Sequence, residues 1–321
     1  MANYTLRQLK YFVTTVKCGT VAEASRQLYI AQPSISAAIK GLEESFNVQL
    51  FIRQHAQGMS LTQAGQRFYD KAQELLRSAH AFEQNAMADN EMVNGQIDIG
   101  CFETVAPLYM PMLLSSFKER YPGVRIRLHD GEQHELVHGL TNGRFDLAIL
   151  FRHDLDSTLE VEPLMKPSQP YVLLPEGHPL GLQEVISLHE LVSEPMIHLD
   201  VLPSRTYFIS VFEEHGLSPN VVFSSPSLEM VRGMVGQGFG FSLLVTKPQA
   251  DFTYDGRKLV CRPLKEQVSG SQLTASWLSR SQLTKPARLF VEHCKEMLGE
   301  LDAAHALPSK VTSLDQIRQA A

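Results

Sequence analysis

Residues 6–53 read LRQLKYFVTTVKCGTVAEASRQLYIAQPSISAAIKGLEESFNVQLFIR, and this stretch decides how the chain begins. Leu6, Leu9, Phe12, Val13 and Val16 recur at three- and four-residue steps, which predicts one amphipathic helix over residues 5–17. Gly19 stops it. Thr20-Val21-Ala22-Glu23 then has the form of a capping box, in which the Thr20 hydroxyl takes the Glu23 amide and the Glu23 side chain reaches back. A second helix runs to about Leu28. Gln32-Pro33 opens a third, with proline at a position where its missing N–H costs nothing. Ile35, Ile39, Leu42 and Phe46 mark its buried face, and Asn47 suits its end. Two short helices joined by a tight turn make a helix-turn-helix, here from Val21 to Lys40. Gln32, Pro33, Ser34, Ser36 and Lys40 lie on the outer side of the third helix. Small polar residues let the helix axis approach base edges, and Lys40 can hold a phosphate. A three-helix bundle with no DNA role is the bland alternative.

Downstream, Thr62 can cap a long helix through about Ala88. Along it Phe68, Ala72, Leu75, Ala79, Phe82 and Ala86 step by four and three, a heptad seam interleaved with Arg67, Lys71, Glu74 and Arg77. Such a seam packs on a partner helix or on the chain's own body. Asn90 to Gly95 has no periodicity and reads as a hinge.

From Gln96 strands and helices alternate. QIDIGCF is a strand. PLYMPMLLSSFKERYP is a helix, and VRIRLHDG alternates Val124, Ile126 and Leu128 against Arg125, Arg127 and His129. HELVHGLTNGR is helical with Leu136, Val137 and Leu140 inward, and FDLAILF suits a buried parallel strand. This order implies a doubly wound sheet with ligands at the carboxyl ends of its strands. PYVLLPEGHPL begins a second set. Two α/β lobes joined by two crossings, near 164–170 and 263–268, enclose a cleft. Residues 301–321 form a tail that fits no motif.

His134-Glu135-Leu136-Val137-His138 matches the zinc signature H-E-x-x-H. An extended zinc site would need Gly at 141 and His at 144, where Thr141 and Arg144 stand. Glu160 and Glu162 fall in a strand-like run, and Gly139 and Gly143 cut the helix short. A metallohydrolase is therefore disfavoured, no metal site is assigned, and metal sensing by His134, His138 and His129 is a secondary alternative. There is no G-x-S-x-G elbow and no phosphate-binding G-x-x-x-x-G-K-[ST]. GQGFG lacks the preceding strand of a dinucleotide fingerprint, so neither enzyme chemistry nor a cofactor is expected.

The 321 residues, 44% hydrophobic and 20% charged, suit a globular chain of two or three domains. No run of about 18 apolar residues predicts a membrane span, and MANYTLRQLKYF lacks the apolar core of a secretory signal, so the cytoplasm is expected and a solute-binding protein is not. Cys18, Cys101, Cys261 and Cys294 are scattered and read as free thiols. Residues 1–60 hold six Lys/Arg and three Asp/Glu, whereas residues 91–321 hold 20 and 28, so a basic head sits on an acidic body. That asymmetry suits a head that meets a polyanion.

The run quoted above, with its AQPSIS turn, its LE pair, its LF-x-R and the LTQAG that follows, resembles the winged helix-turn-helix of LysR-type transcriptional regulators. The texture of residues 131–149 and LLPEGHPL resemble that family's effector-binding domain, itself similar to periplasmic binding proteins. The resemblance implies a winged helix-turn-helix over residues 1–61, a linker and dimerisation helix over 62–90, and an effector-binding domain over 95–300. Lobe I would take about 95–164 and 268–300, and lobe II about 165–267. It implies a ligand-responsive regulator that binds double-stranded promoter DNA at a two-half-site operator as a homodimer or homotetramer, with RNA polymerase a candidate partner. Arg53 would be the wing contact. Carried over by position, the effector residues are Phe102, Thr104, Glu132, Gln133, Arg152, His153, His198, Ser204 and Arg205. Arg152 or Arg205 would clamp an anionic effector.

The chain departs from the family in three places. Ala37 stands where a basic residue is frequent. Gln54, His55, Ala56 and Gln57 replace a shorter wing with a second arginine, which predicts a shallow salt dependence of DNA binding. Gln133 stands where a serine or threonine is usual, which with Glu132 and the histidines would suit an amine or a metal instead.

Overall fold

A computed structural model describes residues 4–54, 58–86 and 93–306. Internal packing divides the chain into an N-terminal unit, which also takes in His138–Arg144 and Ser281–Lys285, and a C-terminal unit holding the rest.

The N-terminal unit runs α1 (Leu6–Cys18), α2 (Val21–Leu28), α3 (Gln32–Phe46), β1 (Phe51–Gln54), β2 (Gly58–Leu61) and α4 (Gln63–Ala86). β1 and β2 form an antiparallel hairpin with Phe51 opposite Leu61 and Arg53 opposite Met59, which is the wing. Thr20 caps α2, its hydroxyl accepting from the Glu23 amide at 3.1 Å. The return half expected of that box is replaced by an ion pair, because Glu23 turns outward to Arg26 at 2.7 Å. The complete capping box belongs to α1: the Gln8 amide donates to Thr5 Oγ1, and the Thr5 amide to Gln8 Oε1. Asn47, at φ 48, ends α3 in the left-handed conformation an asparagine tolerates.

Phe12 is fully buried at the centre of this unit, against the rings of Phe51, Phe68 and Tyr69. Glu43 accepts the Leu50 amide at 2.8 Å and so fixes the entry to the wing, which gives the LE pair a structural purpose. Thr62 Oγ1 accepts from the Gly65 amide at 2.8 Å and donates to the Gln49 carbonyl at 2.7 Å, capping α4 and tying it to the approach to β1. A Cβ on Gly65 would lie 2.0 Å from the Leu50 carbonyl oxygen, so this contact requires glycine.

The chain continues with β3 (Gly95–Phe102), α5 (Ala106–Arg120), β4 (Val124–Gly131), α6 (Gln133–Thr141), β5 (Leu147–Phe151), β6 (Leu159–Pro163), β7 (Tyr171–Pro175), α7 (Leu188–Leu191) and β8 (Pro195–Leu199). It closes with α8 (Ser204–Glu213), β9 (Asn220–Ser225), α9 (Leu228–Gly236), β10 (Ser242–Leu244), β11 (Leu259–Pro263), β12 (Leu273–Leu278) and α10 (Lys285–Ala306). The first lobe is a five-stranded sheet ordered β4-β3-β5-β12-β6. β3 is parallel to β4 and β5, and β12 is antiparallel to β5 and β6. The second lobe holds β10-β7-β11 and the parallel pair β8-β9, joined through a bridge between Met196 and Phe241. The sheets are thus mixed, with the parallel strands where the helical crossovers are. The two connecting segments pair with each other at Ser168 and Ser271.

Several local expectations change: Leu6 of α1 and Phe46 of α3, both read as inward residues, are 43% and 44% exposed. Leu128, read as an inward residue, is 39% exposed on β4, the edge strand of its sheet. Val137 is only half-buried, while Leu136 and Leu140 are buried. Gly139 lies inside α6 and does not end it; the turn comes at Gly143, with φ 73. Among the described residues no helix is long and apolar enough to cross a membrane. Asn90 to Met92 of the hinge and residues 307–321 of the tail lie outside the described residues.

Candidate functional site

Two sites were expected, an outer face on α3 and a cleft between the lobes. On α3, Ile35, Ile39 and Leu42 are buried while Gln32, Pro33, Ser34, Ser36, Ala37 and Lys40 are exposed. The helix has no side-chain cap at its start, so its first peptide dipoles face outward unmasked. Lys40 pairs with Glu44 at 3.5 Å, but both are exposed, and such a pair exchanges readily for a phosphate. Arg53 sits on β1 opposite Met59. His55 to Gln57 lie outside the described residues.

The heptad seam of α4 is buried in part. Phe68 stacks edge-on against Phe12 and Phe46, and Ala72 is buried, so this part completes the core of the N-terminal unit. Further along, Leu75 and Phe82 are 38% and 74% exposed.

The interlobe cleft is narrow and nearly closed. Its walls come from strand ends and helix starts, as a doubly wound fold dictates. Thr104 follows β3, Phe151 and His153 end β5, and Leu199 ends β8. Ser204, Tyr207 and Phe208 lie on the first turns of α8, Leu228 opens α9, and Thr246 follows β10. Ser271 comes from the second connecting segment. His153 organises this wall. Its Nε2 lies 2.9 Å from Ser271 Oγ, its carbonyl accepts from Gln133 Nε2 at 2.6 Å, and its ring meets that of Tyr207. Tyr207 donates its hydroxyl to the Ser269 carbonyl at 2.6 Å. Burial holds the His153 imidazole below its ordinary pKa, against the opposing charge of Asp154, and pushes the Tyr207 phenol up.

Of the nine residues expected here, Thr104, His153 and Ser204 line the cleft, and Gln133 supports it from behind with its Oε1 buried and unpartnered. The other five do not line it. Phe102 is fully buried and packs edge-on against Phe151, so it belongs to the core of the first lobe. Glu132 is held 3.3 Å from His134. Arg152 points to Gln272, and Arg205 is captured by Asp200, so neither arginine offers a clamp to the cavity. His198 is buried, with neither ring nitrogen hydrogen-bonded, and burial lowers its pKa. The sequence reading missed Tyr207 and Phe208, which were legible in principle, since Tyr207 follows Ser204 by three residues on one helix face. Ser271 and Thr246 carry no local signal.

Among the described residues no Lys, Arg, Asp or Glu lines the cavity. Beside Thr104, Glu103 has its pKa raised by burial and then by the neighbouring charges of Glu132, Asp130 and Glu135. The wall is aromatic and hydroxyl-bearing, with one imidazole. On the zinc-like motif, His134 faces Glu132 and the His129 ring stacks on Phe145 at 5.5 Å. The described residues contain no group of three or more His, Cys, Asp or Glu fit to hold a metal ion.

Comparison with known proteins gives the following. Residues 6–66 match the family model of the bacterial regulatory helix-turn-helix protein, lysR family, and residues 90–299 match the LysR substrate binding domain. A Bacillus subtilis (strain 168) relative described as an uncharacterized HTH-type transcriptional regulator, YvbU, is 32% identical over 92% of this chain and 99% of its own. The crystal structure of HinK, a LysR family transcriptional regulator from Pseudomonas aeruginosa, is 68% identical, covers 93% of this chain and 100% of its own, and superposes with a TM-score of 0.65. A full-length OxyR variant from Pseudomonas aeruginosa, at 23% identity, 92% and 98% coverage and a TM-score of 0.73, shares the fold.

Proposed function

The chain belongs to the LysR family of transcriptional regulators, and from that premise we propose that it reads a two-half-site operator as an oligomer and answers to a small molecule held between the lobes of its C-terminal unit. It is a DNA-binding regulator and not an enzyme. The base-reading residues are Gln32, Pro33, Ser34 and Ser36, with Lys40 and Arg53 on phosphates.

The contact between His153 of the first lobe and Tyr207 of the second carries the effector reading. A ligand entering between them must part or re-space these rings, and so changes the lobe arrangement. If one lobe arrangement holds the paired heads at the operator spacing and the other does not, the ligand shifts that population by its preference for one state. The lobes leave the cleft nearly closed, so a ligand enters only by parting them. With hydroxyls, an imidazole and aromatic rings on its walls, the cleft suits a small ring-bearing ligand without an anionic group.

Oligomerisation is supported by Leu75 and Phe82 on α4, which continue the seam beyond the head core. Two copies form the DNA-reading pair and two pairs a homotetramer, acting in the cytoplasm beside RNA polymerase. The test selects duplexes from a random-sequence pool with the full-length protein, then footprints them with and without metabolites that raise its melting temperature. The expected footprint is two half-sites whose protection changes with ligand. Absence of any enriched duplex, or a stabilising ligand that leaves the footprint unchanged, rejects the reading.

A further inference from the structure

Tyr29, in the turn between α2 and α3, has φ 55 and ψ 39, the left-handed region. Residues with a Cβ are uncommon there, and Gly, Asn, Asp and His account for most exceptions. The turn is built from the backbone and one serine: the Tyr29 amide donates to the Arg26 carbonyl, the Ile30 amide to the Ser25 carbonyl at 3.2 Å, and Ser25 Oγ to the Ile30 carbonyl at 2.6 Å. Glycine or asparagine at position 29 would make the same bonds with less strain. Nor does the tyrosine ring contribute to packing. It is 94% exposed and makes no ring contact among the described residues. A large aromatic side chain is therefore held at a strained position where folding does not need it.

Its location gives it a use. Two residues on, Ala31 is the N-cap of α3, whose exposed Gln32, Pro33, Ser34 and Ser36 form the reading face. When such a helix enters a major groove by its N-terminal end, the turn before it lies over the phosphates at the groove's rim. Cationic help is scarce there. Arg26 rests in an exposed pair with Glu23, Lys40 must release Glu44 to reach a phosphate, and position 37 is alanine. A neutral donor such as a phenol adds to the few phosphate contacts that Lys40 and Arg53 supply.

We infer that Tyr29 is a DNA-contacting residue: its phenol donates a hydrogen bond to a phosphate oxygen at the rim of the groove that α3 enters, and so sets the depth and angle of that helix.

The test measures binding of full-length protein to a duplex that the wild type has selected from a random pool, over a range of KCl concentrations. Tyr29→Phe removes only the donor. It is expected to weaken binding about five- to tenfold, with the melting temperature unchanged. The slope of log affinity against log salt stays the same, since no cation that displaces counterions is lost. Tyr29→Asn, which tolerates the left-handed turn, is expected to weaken binding at least as much while melting no lower than the wild type. Wild-type affinity in Tyr29→Phe overturns the proposal. So does a loss accompanied by a lower melting temperature or an altered salt slope.

Discussion

The imidazole of His153 and the phenol ring of Tyr207 meet across the cleft with centroids 5.0 Å apart and planes at 42°. Tyr207 also bonds to Ser269 in the connecting segment, so ring and hydroxyl perform separable tasks. Tyr207→Phe keeps the ring contact and loses one hydrogen bond, with an expected cost of about 1 kcal/mol. Tyr207→Ala removes a buried aromatic and is expected to cost about 3–5 kcal/mol. Urea unfolding of both variants checks this. Equal losses would mean that the ring contact contributes nothing.

Acidification is expected to destabilise the C-terminal unit. His153, His198 and His293 all have pKa values lowered chiefly by burial. Above the unfolded value of about 6.5 both states are neutral and the full stability is present. As pH falls below it, the unfolded chain takes up protons that the folded chain refuses, and stability drops until the folded values are passed. Glu103, whose pKa is raised, works in the opposite sense at lower pH and softens the fall. Melting temperatures should decline from about pH 7.5 to about pH 5.5. His198→Leu, which removes two unpaired ring nitrogens, should flatten that decline. An unchanged profile in the variant would assign the effect elsewhere.

How much of this was legible beforehand follows from the range of the interactions. The head was readable because its signals are local: Ile35, Ile39 and Leu42 recur at helical spacing, Thr20 and Thr62 stand where caps are needed, and all of them do what their spacing implies. Glu23 failed as the return half of a box because an exposed carboxylate had Arg26 one turn away. The cleft was readable only to the level of which strand ends face it. Thr104 and His153 fall there because a doubly wound lobe puts ligands at those ends. Whether Arg205 reaches inward depends on Asp200, five residues earlier, and whether Arg152 does depends on Gln272, 120 residues away in the second connecting segment. Such competition for a long side chain leaves no periodic trace.

The two arginines give a direct comparison. Because Asp200 and Gln272 hold them away from the cavity, Arg152→Ala and Arg205→Ala are expected to leave effector-induced thermal stabilisation close to the wild-type dose response. Ser204→Phe, which places a ring in the wall of the narrow cleft, should abolish that response and leave binding to a selected duplex intact. A response lost in Arg152→Ala but kept in Ser204→Phe would move the effector site out of the cleft.

On α4 the seam changes function between Ala72 and Leu75, and this separates folding from assembly. Phe68 is an edge-on neighbour of both Phe12 and Phe46, so Phe68→Ala should cost the head about 3–5 kcal/mol and remove DNA binding by unfolding it. Phe82 is 74% exposed in the single chain and contributes little to that core. Phe82→Glu should therefore leave the melting of the head near the wild type. If the seam pairs with a second copy, each subunit loses roughly 2 kcal/mol of apolar burial, roughly 4 kcal/mol per pair, which weakens the dimer by about a thousandfold. Light scattering across a dilution series should then show monomers at concentrations where the wild type is assembled. Binding to a two-half-site duplex should fall far more than binding to a single half-site. If Phe82→Glu remains assembled at every dilution, the seam is not the pairing surface.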